Sequence, residues 1–128
     1  MRLLLDTHIA LWAIVDDPRL PVLARGLIEG AANEVWVSAA SLWEIAIKRA
    51  LGRGDMPISS ADALRYFQAS GYGILSISAE HAMGVEGLPG HHQDPFDRLL
   101  VAQAMIEPMR LVTHDRHVAL YSDTVIFV

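Results

Sequence analysis

The chain has 128 residues, 52% of them hydrophobic and 20% charged, which implies one compact globular domain over residues 1–128 and excludes a disordered chain. It contains no cysteine, so disulfide frameworks, thiolate zinc sites and cysteine nucleophiles are ruled out. Ten Lys and Arg against fifteen Asp and Glu give a formal charge of -5, which taken alone argues against a nucleic-acid binder.

The opening segment MRLLLDTHIALWAIVDDP has an apolar run broken by Asp6 and His8 and no small-residue cleavage site. Neither a signal peptide nor a membrane span fits it, and a cytoplasmic location is expected. Leu3 to Leu5 form a short apolar strand that stops at Asp6, and Thr7 to Val15 read as a helix closed by Asp16, Asp17 and Pro18. A second helix runs from Leu20 to Ile28. Val35 to Val37 is a strand, followed by Ser38 and the helical stretch AASLWEIAIKRALG, which Gly52 ends. A helix from about Ala61 to Ala69, a strand from Gly73 to Ile77 and a short helix from Ala79 to Val85 come next. Gly87 to Gln93 is a loop rich in Gly, Pro and His. In DPFDRLLVAQAMIE, Asp94 is a natural N-cap and Pro95 suits the first helical position. Leu111 to Thr113 is a fourth strand, Arg116 to Leu120 a helical turn and Val125 to Val128 a last strand.

Strands separated by helices require crossovers, hence a mainly parallel sheet with helices on both faces. The strands are continuous apolar runs, as expected where both faces are buried. The fold class is therefore α/β, a three-layer α/β/α sandwich.

Four acids stand out, each with an ordinary explanation. Asp6 can cap the Thr7 helix and Asp115 the turn at Arg116. Glu44 follows Ser41 by three residues, the S-x-x-E spacing of a capping box. Asp97 lies in the first turn of its helix, where the dipole favours an acid. Their conjunction means more. In a doubly wound sheet every helix N-terminus opens on the edge where strands end, and ligands bind there. Asp6 and Asp115 leave strand ends, while Glu44 and Asp97 project from helices beginning at that edge, so all four can share one crevice.

At a separation of about 5 Å and an effective dielectric near 20, each pair of such carboxylates repels by roughly 3 kcal/mol. Apart from Arg98 and Arg116, no basic residue adjoins these acids in sequence. An all-oxygen ligand set suits a hard divalent cation, Mg2+ or Mn2+, which polarises a phosphate oxygen and activates a bound water. Removing four of the fifteen acids leaves eleven against ten basic residues. Arg49, Arg53, Arg98, Arg110 and Arg116 can then supply local positive potential for a phosphate backbone.

The segments LLLDTH, SAASLWEIAIKRALG, HHQDPFDRLLVAQA and LVTHDRH resemble the PIN-domain ribonucleases, and in detail the VapC-type toxins of toxin-antitoxin pairs. The resemblance runs from about Leu3 to Tyr121. It implies an α/β/α fold, an Mg2+-dependent endoribonuclease with Mn2+ able to substitute, an RNA substrate, homodimers and neutralisation by a cognate antitoxin protein. Residue by residue, the family's catalytic and metal-holding acids fall on Asp6, Glu44, Asp97 and Asp115. The family's small hydroxyl matches Thr113, assigned to supporting the metal ligands or a water, and Asp94 is a possible fifth carboxylate with capping as its plainer task. Gln93 and the helix exit GRGDM depart from the family pattern.

Other residues receive plainer readings. His91 and His92 lie in a polar loop and are read as solvated or packing residues, with His8 and His114 as able to face away from the site as towards it. Leu42, Trp43, Ile45, Ala46 and Ile47 read mainly as core, and Trp12, Trp36 and Trp43 as buried before base-stacking. Arg98 and Arg116 are the candidates for RNA phosphate contacts. Two other classes compete. A phosphorylatable receiver module would need paired acids after its first strand and a late Lys, whereas the only Lys is Lys48, inside a helix. A catalytically silent PIN scaffold, binding RNA or a protein partner without cutting, shares every feature above except turnover.

Overall fold

The structure is a computed structural model that describes residues 1–52 and 56–128. The elements run β1 (Arg2–Leu5), α1 (Thr7–Ile14), α2 (Val22–Glu29), β2 (Glu34–Ser38), α3 (Ala39–Ala50), α4 (Ser60–Ala69), β3 (Gly73–Leu75) and α5 (Ala79–Gly84). After a 3-10 turn at Val85–Gly87 come α6 (Pro95–Ile106), β4 (Arg110–Thr113), α7 (Arg116–Ala119) and β5 (Ile126–Phe127). The strands form one sheet in the order β3-β2-β1-β4-β5, every neighbouring pair parallel.

Consecutive strand residues point to opposite faces, and the apolar runs fill two cores. Leu3, Leu5, Val35, Val37 and Val112 pack with Ile9, Ala24, Ala63 and Phe67 from α1, α2 and α4. Leu4 and Leu111 face the other way, onto Leu99, Leu100, Val101 and Val118 from α6 and α7. Helix α3 serves both sides, through Ile45 and Ala40 respectively. The three-layer α/β/α sandwich expected from the sequence is the observed architecture. Among the described residues no helix is long and apolar enough to cross a membrane.

Element ends differ from expectation for local reasons. Helix α2 begins at Val22 because Pro21 stands at its N-cap, a position where its missing N–H costs nothing. Strand β3 stops at Leu75, which pairs with Ser38 at the end of β2; beyond it there is no partner strand. Strand β5 is confined to the two residues that pair with Val112 and Thr113. Gly52 adopts a positive φ of 73° just beyond the end of α3, the left-handed exit that glycine supplies most cheaply. Arg53 and the rest of the departure at GRGDM up to Asp55 lie outside the described residues.

The α3 cluster read as core is only partly so. Ile45 is buried, but Trp43 is 53% exposed and meets Phe96 edge to face at 4.9 Å, while Ala46 is exposed. A helix lying across the sheet edge presents only part of its circumference to the core.

The chain travels outward from β1 to β2 and β3, then returns to place β4 and β5 on the opposite side of β1. The order therefore reverses between β1 and β4, and the crevice beyond their carboxyl ends is the expected ligand position. The Asp6 amide bonds the Val112 carbonyl at 3.0 Å, fixing the chain as it leaves β1 at this point.

Candidate active site

Asp6 is both a cap and a member of the crevice. Its Oδ1 accepts the Ile9 amide at 2.9 Å, closing the first turn of α1, and its Oδ2 accepts the Thr113 hydroxyl at 2.6 Å. Burial pushes the Asp6 carboxyl above its ordinary value; the bonds from Thr113 and Ile9 act against this, and the charge of Glu44 adds to it. Thr113 Oγ1 in turn accepts the Asp115 amide at 3.0 Å. One buried hydroxyl thus couples the acid after β1 to the backbone of the acid after β4.

Glu44 does not form a capping box with Ser41. Helix α3 starts at Ala39 and is capped by Ser38, whose Oγ accepts the Ala40 amide at 2.9 Å, so Glu44 stands in the second turn. Its side chain is buried; Oε1 accepts the Thr7 hydroxyl at 2.7 Å and Oε2 accepts Lys48 Nζ at 2.6 Å. The basic partner missing from the sequence reading is therefore Lys48, four residues on along the same helix, a spacing that places the two side chains together.

Asp94 caps α6, its Oδ1 accepting the amides of Phe96 at 2.8 Å and Asp97 at 3.1 Å. Asp97 follows in the first turn. Its carboxyl is pushed up to about 7, by burial first and then by the charges of Asp94, Asp6 and Glu44, with His92 opposing. Asp115 accepts the His117 amide at 2.8 Å. Partial burial acts upward on Asp115, yet the bonds from His92 and the His117 amide together hold its carboxyl below the ordinary value.

His92 is the functional residue the sequence reading passed over. Its Nε2 lies 2.9 Å from Asp115 Oδ2 and 3.3 Å from Asp97 Oδ2, and ligand atoms of these three residues all lie within 4.8 Å of one another. Its Nδ1 accepts the Asp94 amide at 2.9 Å. A ring nitrogen that accepts leaves the other to carry hydrogen, so Nε2 donates to the two carboxylates and offers no lone pair. The imidazole N–H stands between the Asp97 and Asp115 carboxylates.

The four predicted acids thus converge on one edge, since Asp97 feels both Asp6 and Glu44. They do not form one tight cluster. Among the described residues the close set is His92, Asp97 and Asp115, while Asp6 is bonded to Thr113 and Glu44 to Thr7 and Lys48. Carboxylate oxygens of this kind suit a hard divalent cation, and the charges of Asp94, Asp6 and Glu44, which add to burial in raising Asp97, are ones such an ion would offset.

The two arginines part company. The Arg98 guanidinium donates to the carbonyls of Pro89 at 2.9 Å, Val85 at 3.2 Å and Leu88 and His92 at 3.4 Å, and to the Tyr121 hydroxyl at 3.1 Å. Its donors are taken up by the loop that carries His92, so the expected phosphate contact gives way to a loop anchor. Arg116 is exposed and lies over the Phe127 ring at 5.8 Å. Of the other arginines invoked for positive potential, Arg49 reaches the Met56 carbonyl at 3.4 Å and Arg110 the Thr124 carbonyl at 2.8 Å.

A doubly wound parallel sheet with acids gathered at its switch point defines a class, and the family comparison agrees: the PIN domain model matches residues 3–123, and the chain belongs to that family. It is 34% identical over 114 residues to Ribonuclease VapC22 of Mycobacterium tuberculosis (strain ATCC 25618 / H37Rv), the match covering 88% of this chain and 86% of that protein. Solved structures share the fold at lower identity. VapBC2 from Rickettsia felis, bound to a DNA fragment from its promoter, superposes with a TM-score of 0.68 at 19% identity over 100% of this chain and 98% of that one. A toxin-antitoxin complex from Klebsiella pneumoniae gives 0.65 at 17% identity, covering 96% and 94%.

Proposed function

We propose that the protein is an Mg2+- or Mn2+-dependent endoribonuclease that hydrolyses RNA phosphodiester bonds and serves as the toxin of a toxin-antitoxin pair. The observation that carries this reading is the gathering of acids in one crevice, where Asp97, pushed up to about 7 by burial first, also feels the charges of Asp94, Asp6 and Glu44. Asp6, Glu44, Asp97 and Asp115 would hold the metal. When bound, the ion supplies polarisation of a phosphate oxygen and a water acidic enough to act as nucleophile near neutral pH.

The protein's own groups prepare that centre. Thr113 fixes Asp6 through Oδ2 and leaves its hydroxyl oxygen to hold the Asp115 amide. Thr7 and Lys48 orient the two oxygens of Glu44. Asp94 sets the first turn of α6 and thereby aims Asp97. His92 holds Asp97 and Asp115 together through one N–H. The relationship to Ribonuclease VapC22 supports the ribonuclease assignment. Solved relatives that are toxin-antitoxin complexes support an antitoxin protein as partner, and a homodimer as the working form follows from the family resemblance alone.

The test is a Mn2+ titration of the purified protein with a panel of RNAs, alone and with the product of the adjacent reading frame. Metal-dependent cleavage that disappears in Asp6→Asn and Asp115→Asn, with melting curves still cooperative, and that the adjacent product suppresses, is the expected result. Binding of Mn2+ without cleavage of any RNA would replace the nuclease by the silent scaffold.

A further inference from the structure

A run of aromatic rings is carried by the segments next to Asp6 and Asp115. His8 and Trp12 lie on α1, their ring centroids 6.0 Å apart. Trp12 meets His114 edge-on at 6.2 Å, and His114 stacks on Phe127 at 5.8 Å with ring planes 27° apart. The run ends in cations on both sides: Arg19 lies over Trp12 at 5.3 Å and Arg116 over Phe127 at 5.8 Å.

Its position follows from the fold. His8 comes two residues after Asp6, His114 stands between Thr113 and Asp115, and Phe127 is in register with Thr113 across β4 and β5. The rings are accessible: Phe127 is 40% exposed, His114 is exposed and Trp12 half-buried. The Phe67–Tyr72 stack, by contrast, rests on a fully buried Phe67 in the core. Arg116 meets no carboxylate within salt-bridge distance among the described residues, whereas Arg19 is held by Asp17 at 2.8 Å. On a chain of charge -5, Arg116 is a cation open beside exposed rings.

We propose that Trp12, His114 and Phe127, ending at Arg116, form a platform on which unpaired nucleobases of single-stranded RNA stack next to the acidic crevice. This rests on the nuclease reading above. Exposed rings ending in an open cation match a strand whose bases stack and whose phosphates are negative, and stacking accepts any base because every base has a π-face. A duplex keeps those faces hidden and is refused. The platform therefore selects unpaired segments without reading their sequence.

The test uses the full chain in EDTA, so that nothing is cut, with labelled oligouridine and a duplex of equal length followed by anisotropy. Phe127→Leu combined with His114→Asn is expected to weaken single-strand binding about tenfold, while Phe127→Tyr retains it and melting temperatures stay level. Duplex is expected to bind at least about tenfold more weakly than single strand. If the double variant is unfolded, ultraviolet crosslinking of thiouridine RNA to the parent protein decides: adducts on peptides containing Trp12, His114 or Phe127 support the platform, and adducts elsewhere overturn it. Equal binding by parent and double variant, or equal binding of duplex, also overturns it. A parent that cuts RNA with Mn2+ alongside such a result leaves the nuclease standing. A parent that neither binds nor cuts RNA removes the nuclease reading and the platform with it.

Discussion

Replacing Asp97 by Asn probes the electrostatics of the crevice directly. The parent carboxyl lies at about 7 against an ordinary 3.8, through burial and then the charges of Asp94, Asp6 and Glu44. An acid raised on folding carries a proton in the folded state that the unfolded chain has already lost. Stability therefore falls as pH rises from 3.8 to about 7 and is level above that window. A gap of about three pH units corresponds to about 4 kcal/mol at pH 8, which water entry and side-chain relaxation reduce to about 2 to 3 kcal/mol. Asn has the same shape and still accepts from His92, but carries no charge. At about 4 °C per kcal/mol for 128 residues, Asp97→Asn in EDTA is expected to melt about 8 to 12 °C above the parent at pH 8. The advantage shrinks to nothing as the pH falls to about 4. Added Mn2+ raises the parent and not the variant, so the two approach each other. Calorimetry at several pH values checks this. A variant that melts at or below the parent at pH 8 without metal would refute the reasoning.

Lys48→Met strands the buried Glu44 carboxylate, which is expected to cost about 3 kcal/mol; urea unfolding measures it, and adding Glu44→Gln recovers more than half. Arg98→Met removes the donors that hold the carbonyls from Val85 to His92, so amide exchange across the Gly87–Gln93 loop is expected to quicken by about tenfold or more while the core of α6 keeps its protection. Hydrogen-exchange mass spectrometry separates the two segments.

Local chemistry made much of the fold legible. Leu3, Leu4 and Leu5 announce a strand buried on both faces, and Asp94 with Pro95 announces the start of α6 to the residue. The acids at strand ends were legible because crossover topology sends every such end to one edge. The ordinary alternative for Glu44 fails: S-x-x-E occurs at Ser41, but Ser38 caps the helix three residues earlier, so the motif is a coincidence of register. Lys48 was within reach as the fourth residue after Glu44 on one helix. The tasks of His92 and Arg98 were not, because loops have no periodicity. The contacts of His92 with Asp115 and of Arg98 with the carbonyls before it depend on how the 87–93 segment folds back, which tertiary packing decides.

The sheet places β1 at its centre, yet its two flanking strands come from opposite ends of the chain, and the Asp6–Thr113 bond joins residues 107 positions apart. During synthesis, Leu3 to Leu5 emerge early and wait with one side unpaired until β4 leaves the ribosome, a high-contact-order closure that is slow by nature. The same order delays the crevice itself: until β4 has paired with β1 and carried Asp115 into place, Asp6 has no opposite wall.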